Sequence, residues 1–212
     1  MNDHIKVALL GFGGHAKVII ECLTQNSIPI QCAFVPHGSN QENHLDSKFN
    51  LISEDTMADY LNDNLQLING VGSTRASTKR ENLYNSAKKL GFSFYTLISS
   101  ASYISRSSTI NEGTVVFPGS IIQCNSYIGK NVIINNGSCI EHDVSIGDHC
   151  HIATRAVLTG NVNIGKNTHI GAGAVVVQGV QIGSNVTVGA GATIFRDIPD
   201  NSTVVGHNRI LK

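Results

Sequence analysis

The sequence contains few charged residues and no excess of either sign. Of its 212 residues, 15 are lysine or arginine and 15 are aspartate or glutamate, so the formal net charge at pH 7 is zero. A chain with neither a basic surplus nor a block of like charges gives no sign of nucleic-acid binding, of an acidic tail or of adhesion to a membrane surface. We therefore expect no nucleic-acid partner.

The sequence also lacks an apolar run long enough to span a membrane, which takes about 20 residues. Its first residues, MNDHIKVALLGFGG, hold only a short apolar stretch that leads into a glycine loop, unlike a signal peptide. The five cysteines are odd in number and form no CxxC motif. This usage predicts reduced thiols and a cytoplasmic protein.

What the sequence does contain is a repeat of six residues through its second half. A branched aliphatic residue recurs 17 times at this spacing. Such a period is the hexapeptide signature of a parallel β-helix, in which three hexads form one coil and each aliphatic side chain points inward. The aliphatic positions are Ile98, Ile104, Ile110, Val116, Ile122, Ile128, Ile134, Ile140, Ile146, Ile152, Leu158, Ile164, Ile170, Val176, Ile182, Val188 and Ile194.

Glycine often follows these aliphatic residues. Because glycine adopts positive φ angles at little cost, we expect it where the chain turns a corner of the β-helix. The glycines concerned are Gly129, Gly147, Gly165, Gly171, Gly183 and Gly189.

The first 97 residues alternate strand and helix patterns. A buried strand at 5–10 leads into GFGGHA (11–16) and then an apolar-periodic helix. This order matches the G-x-G-x-x-G/A turn of a Rossmann-like fold, where glycines and the helix N-terminus approach a pyrophosphate. A strand–helix turn that binds no ligand is the alternative interpretation. Further strands are predicted at 28–35, 49–52, 65–71 and 92–97, and further helices at 53–60 and 75–90.

These patterns predict two fold types in one chain. Residues 1–97 should form an α/β Rossmann-like domain with a small parallel sheet, and residues 98–199 an all-β parallel β-helix. The six-residue period fails at Asp200, so residues 200–212 should form a C-terminal cap or tail. The second strand ends at Pro36-His37, where a dinucleotide-binding fold often has an acidic residue, which argues against an NAD site.

One polar stretch interrupts the β-helix pattern, with Glu141-His142-Asp143 and then His149 and His151. His142 lies two positions after an inward-facing isoleucine, so it should point outward. Gly160 follows one coil later on the same side and should leave room for a ligand. A neighbouring carboxylate orients a histidine ring and raises its basicity, as a general base requires. An incidental surface histidine and a zinc site are the alternatives.

The motif GFGGHAKV, the hexapeptide repeat and IEHD with a histidine nine residues after His142 resemble one bacterial family. It comprises sialic-acid O-acetyltransferases and nucleotide-amino-sugar N-acetyltransferases, above all those of bacillosamine-type sugar synthesis. The resemblance covers essentially the whole chain. It implies a left-handed β-helix, a homotrimer with active sites at subunit interfaces, acetyl-CoA in the groove between neighbouring prisms, and a role in making cell-surface polysaccharides or glycans.

The resemblance also implies residue roles. His142 would be the general base and Asp143 would tune it, although the family more often has glutamate there. His151 and Gly160 would line the acetyl-CoA site, with Ala172 and Ala190 along the pantetheine path. No metal is expected. The sugar nucleotide would be held by Gly11, Gly13, Gly14, His15, Gly72 and Ser73.

The sequence therefore predicts an acetyl-CoA-dependent N-acetyltransferase acting on a nucleotide-linked amino-deoxy sugar. The amine would attack the thioester directly while His142 removes its proton, and a backbone N–H near Gly160 would stabilise the oxyanion. Cys124, one coil before His142, would form a wall of the site. O-acetylation of a sialic-acid-like sugar is an alternative within the family; a zinc enzyme resembling γ-carbonic anhydrase and a non-catalytic scaffold are alternatives outside it. The sequence identifies neither the sugar nor the nucleotide.

Overall fold

The computed structural model describes residues 6–36, 49–61, 64–206 and 209–211, the last three by their backbone alone. The chain divides into two compact units. The first comprises Met1–Gly72 and Asn82–Tyr95, and the second comprises Ser73–Glu81 and Thr96–Lys212. The segment 73–81 thus belongs to the second unit, which the sequence did not indicate. The functional division of the chain at residues 97 and 199 stays a prediction.

The first unit contains a five-stranded parallel sheet in the order β3-β2-β1-β4-β5. Successive strands are added on one side of β1 and then on the other, as in a Rossmann-like fold. This confirms the predicted α/β class. The residues of β1 from Val7 to Leu10 are buried because helices cover parallel sheets on both faces. The elements are β1 (Lys6–Leu10), α1 (Gly14–Gln25), β2 (Ile30–Val35), β3 (Leu51–Ser53), a 3₁₀ helix (Glu54–Tyr60), β4 (Leu65–Asn69), α2 (Lys79–Lys89) and β5 (Ser93–Phe94).

Three elements differ in detail from the sequence prediction. The helix expected at 53–60 is a 3₁₀ helix, whose cap residue Ser53 accepts a hydrogen bond from the N–H of Asp55. The helix expected from residue 75 begins only at Lys79, and its first three residues belong to the segment 73–81 of the second unit. The strand expected at 92–97 ends at Phe94.

The second unit is a left-handed parallel β-helix, as predicted. Its two-residue strands form three parallel sheets, which we call the first, second and third faces. The first face holds β6 (Leu97–Ile98), β9 (Val115–Val116), β12 (Ile133–Ile134), β15 (His151–Ile152), β18 (His169–Ile170) and β21 (Thr187–Val188). The second holds β7 (Tyr103–Ile104), β10 (Ile121–Ile122), β13 (Cys139–Ile140), β16 (Val157–Leu158), β19 (Val175–Val176) and β22 (Thr193–Ile194). The third holds β8 (Thr109–Ile110), β11 (Tyr127–Ile128), β14 (Ser145–Ile146), β17 (Asn163–Ile164) and β20 (Gln181–Ile182).

The chain after residue 194 extends the first face rather than starting another regular coil. Strand β23 (Thr203–Val205) pairs in parallel with β21, and β24 (Arg209–Leu211) pairs antiparallel with β23. The predicted cap or tail at 200–212 therefore contains two strands.

The inward-facing aliphatic residues form the core of the β-helix. Those from Val116 to Ile194 are buried, as the period of six predicted. The prediction is wrong at the start of the repeat, because Ile98 is 38% exposed, and Ile104 and Ile110 are only partly buried. Within this unit the first coil has a neighbour on one side only, and burial in a solenoid comes from neighbouring coils.

The glycines that follow the aliphatic residues serve a purpose other than the one predicted. None of the six has a positive φ angle. Instead they allow coils to approach closely: a Cβ at Gly147 would lie 2.8 Å from the amide nitrogen of Lys166, and one at Gly165 2.5 Å from that of Ser184. Non-glycine residues adopt positive φ at many of the turns, and most are asparagine, which tolerates this conformation. They include Asn125, Asn131, Asp143, His149, Arg155, Asn161, Asn167 and Asn185.

Candidate active site

The candidate catalytic pair lies in the turn between β13 and β14. His142 Nδ1 donates to Asp143 Oδ2 over 2.8 Å, and both side chains are about half exposed. His142 thus points outward, as predicted. Asp143 has φ +59°, and its N–H donates to the carbonyl oxygen of Cys124 on the preceding coil. That bond ties the turn that carries both residues to the preceding coil.

The electrostatics of this pair favour an ionised carboxylate. Hydrogen bonds from His142 and from Asn125 Nδ2 lower the pKa of Asp143 below its ordinary value. An ionised Asp143 accepts the Nδ1 proton of His142, so the basic atom of the imidazole is Nε2. The pair is therefore arranged to remove a proton from a group that approaches Nε2.

Gly160 lies against the imidazole of His142. A Cβ at Gly160 would lie 2.5 Å from Cε1 and 2.6 Å from Nε2 of that ring. The sequence predicted that this missing side chain leaves room for a ligand, but the room beside Gly160 is taken by the ring. Glycine here sets the position of His142.

Glu141, which the sequence grouped with Asp143 beside His142, contacts a different residue. Its Oε1 accepts a hydrogen bond from Cys139 Sγ over 3.4 Å. Burial, with the contact to Glu141, raises the pKa of the Cys139 thiol. The orientation of His142 therefore depends on Asp143.

His151 lies on the first face, at the start of β15. Its Nδ1 is 2.9 Å from the carbonyl oxygen and 3.1 Å from the hydroxyl of Ser73, and its Nε2 is 3.2 Å from Asn135 Nδ2. The ring packs edge-on against His169, with centroids 4.8 Å apart. Ser73, predicted to hold the sugar nucleotide, thus contacts His151.

The residues predicted to line the acetyl-CoA site lie on different sides of the prism. Gly160 is beside His142, in the turns between the second and third faces. His151 is on the first face, and Ala172 and Ala190 are exposed in the turns between the first and second faces. A single chain brings Gly160 to His142 but leaves His151, Ala172 and Ala190 on other sides.

The glycine loop of the first unit has the predicted form. Gly11 has φ +93°, and its N–H donates to the carbonyl oxygen of Phe34. Gly13 caps α1 without a side-chain hydrogen bond and Gly14 begins the helix. Both are exposed, and a Cβ at either would meet no atom of the described residues within 4 Å. The amino end of α1 is therefore accessible to an anion.

His15 and Gly72 lie together in the same unit, since a Cβ at Gly72 would be 3.1 Å from the Cβ of His15. The structure thus brings five of the six predicted sugar-nucleotide residues into one unit and leaves Ser73 in the other. Pro36 follows β2 as expected, whereas His37 lies outside the described residues.

Within the described ranges, no three His, Cys, Asp or Glu side chains come together as metal ligands would. No helix in the described part of the chain is both long enough and apolar enough to cross a membrane.

Two asparagines at the site were missed from the sequence. Asn125 lies 18 residues, one coil, before Asp143, so the coil register was the only feature of the sequence that indicated their contact. Asn135 precedes His151 by 16 residues, off the coil register, and the sequence holds no signal for that contact.

Known proteins share this fold. The family described as bacterial transferase hexapeptide (six repeats) matches residues 125–160 and 161–196. No curated protein matches the sequence. Three similar solved structures are full-length matches.

The first of these is a histidine-to-asparagine variant of perosamine N-acetyltransferase from Caulobacter crescentus, in complex with CoA and GDP-perosamine. It has 29% identity and a TM-score of 0.90, with 98% of this chain and 97% of that chain covered. The acetyltransferase domain of PglB from Neisseria gonorrhoeae, in complex with acetyl coenzyme A, has 32% identity and a TM-score of 0.86, covering 97% and 98%. WeeI from Acinetobacter baumannii has 25% identity and a TM-score of 0.84, covering 98% and 100%.

Proposed function

Because this chain belongs to the bacterial sugar N-acetyltransferases of the hexapeptide superfamily, we infer that it transfers the acetyl group of acetyl-CoA to the amino group of a nucleotide-linked amino sugar. It is an acyltransferase, and acetyl-CoA is its co-substrate. The observation that carries the reaction is the His142–Asp143 hydrogen bond, which leaves a basic ring nitrogen exposed on the β-helix.

We propose His142 as the general base of a direct transfer. The sugar amine attacks the thioester carbonyl, and the C–N bond forms as His142 Nε2 takes the proton of the amine. The tetrahedral intermediate then expels the CoA thiolate, which takes that proton from the protonated His142 and so restores the base. Asp143 stabilises the protonated imidazole formed on the way. A backbone N–H near Gly160 would stabilise the oxyanion.

We propose that the sugar nucleotide binds the first unit. Support comes from the amino end of α1, where Gly13 and Gly14 are exposed and have no neighbour among the described residues that a side chain would meet. Backbone N–H groups and the helix dipole favour a diphosphate at such a place. The first strands of a Rossmann-like sheet meet at this edge, which is where ligands of parallel sheets bind.

We further propose a homotrimer, and the second face supports it. Its outward residues are mostly apolar: Tyr103, Ile121, Cys139, Val157, Val175 and Thr193, whereas those of the third face are mostly polar: Thr109, Tyr127, Ser145, Asn163 and Gln181. Tyr103 is 56% and Ile121 37% exposed in one chain. A continuous apolar strip of this kind favours burial against another copy.

The separation of the predicted acetyl-CoA residues supports sites between subunits. His142 stands at one edge of the second face, and Ala172 and Ala190 at the other. If a neighbouring copy packs on this face, His142 of one chain and the alanine edge of the next can border one groove. Acetyl-CoA in that groove would use both edges, which a single chain holds apart.

We place the protein in the cytoplasm, in the synthesis of cell-surface glycans. All five cysteines lie in the described part of the chain and none is bridged, as expected of a reducing compartment.

The experiment that tests the function is an acetyl-transfer screen with acetyl-CoA. It uses UDP-, GDP-, dTDP- and CMP-linked amino sugars and free sialic acid, and mass spectrometry of each product. The expected result is a mass gain of one acetyl group on the amine of one nucleotide sugar. Acetylation of a sialic-acid hydroxyl alone would replace the proposal with the O-acetyltransferase alternative.

The role of His142 is tested in the same assay. His142→Ala should lower kcat by about 10²–10⁴-fold, because general-base catalysis is lost, while acetyl-CoA still binds. Asp143→Asn should lower it less, because it removes only the tuning charge. A His142→Ala variant with wild-type kcat at pH 7 would remove this residue from the mechanism.

A further inference from the structure

One connection between the first and second faces of the β-helix differs from the others in charge. These connections form the edge that carries Ala172 and Ala190, and they consist mostly of glycine, alanine, serine and asparagine. Arg155 is the one Asp, Glu, Lys or Arg among them. The connections are residues 99–102, 117–120, 135–138, 153–156, 171–174 and 189–192.

The backbone at this position is unfavourable for an arginine. Arg155 has φ +57°, in the left-handed region that glycine and asparagine adopt most easily. The residues at the same place on four other coils are all glycines with positive φ: Gly119, Gly137, Gly173 and Gly191. Strained non-glycine residues cluster at functional sites, so we looked for a contact of the Arg155 side chain that offsets the strain.

The side chain of Arg155 is exposed and extends over the preceding coil. A Cβ at Gly137 would lie 3.4 Å from Cγ of Arg155, so the glycine leaves the arginine its path along this edge. Among the described residues, no carboxylate lies within ion-pairing distance of the guanidinium. An exposed cation on a strained backbone, without a partner in the described part of its own chain, points to an anionic partner outside that chain.

The opposite edge of the second face carries carboxylates. The connections between the second and third faces hold Glu141 and Asp143 on the coil of His142, and Asp197 three coils further on. Asp143 is paired with His142, and Asp197 accepts a hydrogen bond from a backbone N–H. Glu141 is partly exposed and accepts a hydrogen bond from Cys139 Sγ over 3.4 Å, which leaves its charge without a cation in the described chain.

The coil register places Arg155 and Glu141 at similar heights along the β-helix. They lie less than one coil apart along the chain, which corresponds to a rise of under about 4.8 Å. The arginine side chain extends back over Gly137, towards the level of Glu141. In a cyclic trimer each residue has the same height in every copy, and one edge of a chain meets the other edge of the next.

We propose that Arg155 of one copy pairs with Glu141 of the neighbouring copy, across the groove that carries His142. The partner is a second copy of this chain, and the neighbour's arginine contributes to the wall of the site. The proposal rests on the proposed trimer and deepens it by naming the charged pair. Because the rest of the arginine edge is uncharged, the pair selects one register of the two edges.

Charge reversal in the full-length protein tests the pair. Arg155→Glu brings two carboxylates together at each interface, and Glu141→Arg brings two cations together. Because three pairs are lost at once, either variant should raise the protein concentration at which the trimer dissociates by about tenfold or more. The double variant should return close to the wild-type value, because it restores opposite charges. Sedimentation velocity of a dilution series measures this, in a fixed urea concentration that brings the wild-type midpoint into the micromolar range.

Two further variants separate the pair from other effects. Lys166→Glu makes the same change of charge at an exposed residue between the third and first faces, and should assemble as wild type does. Arg155→Gly relieves the backbone strain, so it should fold as wild type does by circular dichroism. Its trimer should nevertheless dissociate at a higher protein concentration than the wild-type trimer, by a smaller factor than in Arg155→Glu because no repulsion is added.

Equal dissociation midpoints in wild type, Arg155→Gly and Arg155→Glu would overturn the proposal, as would a double variant no more stable than the weaker single variant. A raised KM for acetyl-CoA or for the nucleotide sugar in Arg155→Gly, with an unchanged trimer, would assign Arg155 to a substrate phosphate and equally overturn it. A monomeric wild type would refute the proposed trimer and this inference with it. A wild-type trimer that responds as expected but acetylates no amino sugar would refute the proposed function and leave this inference standing.

Discussion

Gly160→Ala should move His142 without disturbing the β-helix. The added methyl would lie 2.5 Å from Cε1 and 2.6 Å from Nε2 of that ring, closer than carbon atoms approach without displacement. The backbone at Gly160 does not have a positive φ, so alanine fits the local conformation. The ring of His142, which is half exposed, should therefore swing outward while the backbone stays in place.

The displacement should separate catalysis from stability. To restore ordinary van der Waals contact of about 3.5–4.0 Å, the ring must shift by about an ångström or more, and its 2.8 Å bond to Asp143 should break. Misplacement on this scale can cost a catalytic group about 10²-fold in rate. The free energy of unfolding should change by less than about 1 kcal/mol, because a partly exposed side chain gives way.

Steady-state kinetics and thermal melting of four proteins check this reasoning: wild type, Gly160→Ala, His142→Ala and the double variant. Because the methyl acts only through His142, Gly160→Ala should cost nothing further in the His142→Ala background. A double variant slower than His142→Ala by the full single loss would refute the argument. It would show that the methyl blocks substrate rather than moving the base.

Three other predictions follow from the same structure. Gly165→Ala should lower the free energy of unfolding by about 1–3 kcal/mol, because the added Cβ would meet the backbone of the next coil. A denaturant titration measures this, and an unchanged midpoint would contradict the conclusion that glycine is needed there for close approach of the coils. Burial lowers the pKa of His169 to about 4, so between its unfolded value near 6.5 and 4 only the unfolded chain binds this proton. The free energy of unfolding should therefore decrease as the pH falls through that window, by up to about 1.4 kcal/mol per pH unit. The decrease should be shallower in His169→Gln. Equal pH slopes in the wild type and this variant would refute the lowered pKa of His169. Val157→Glu on the second face should convert the proposed trimer to smaller species in light scattering, whereas Asn163→Glu on the third face should not. A Val157→Glu variant that stays trimeric would place the interface elsewhere.

The sequence alone determined the β-helix and the outward placement of His142. Each coil packs on its neighbours through aliphatic side chains that recur at a fixed spacing. The period of six therefore identifies the inward-facing positions directly. The pairing of His142 with Asp143 is a contact between adjacent residues, and Asn125 is one coil from Asp143. Such contacts are readable from the sequence because position along the chain sets position in space.

Only the tertiary structure decided how the glycines, His151 and Ser73 are used. The sequence shows that glycine follows the aliphatic residues, but it does not say why. A positive φ angle and a close approach of the next coil both favour glycine, so the sequence alone could not distinguish between them. Ser73 and His151 are 78 residues apart, and Asn135 meets His151 across a turn, off the coil register. Hydrogen bonds between such residues depend on where segment 73–81 packs against the β-helix. No local pattern encodes that packing.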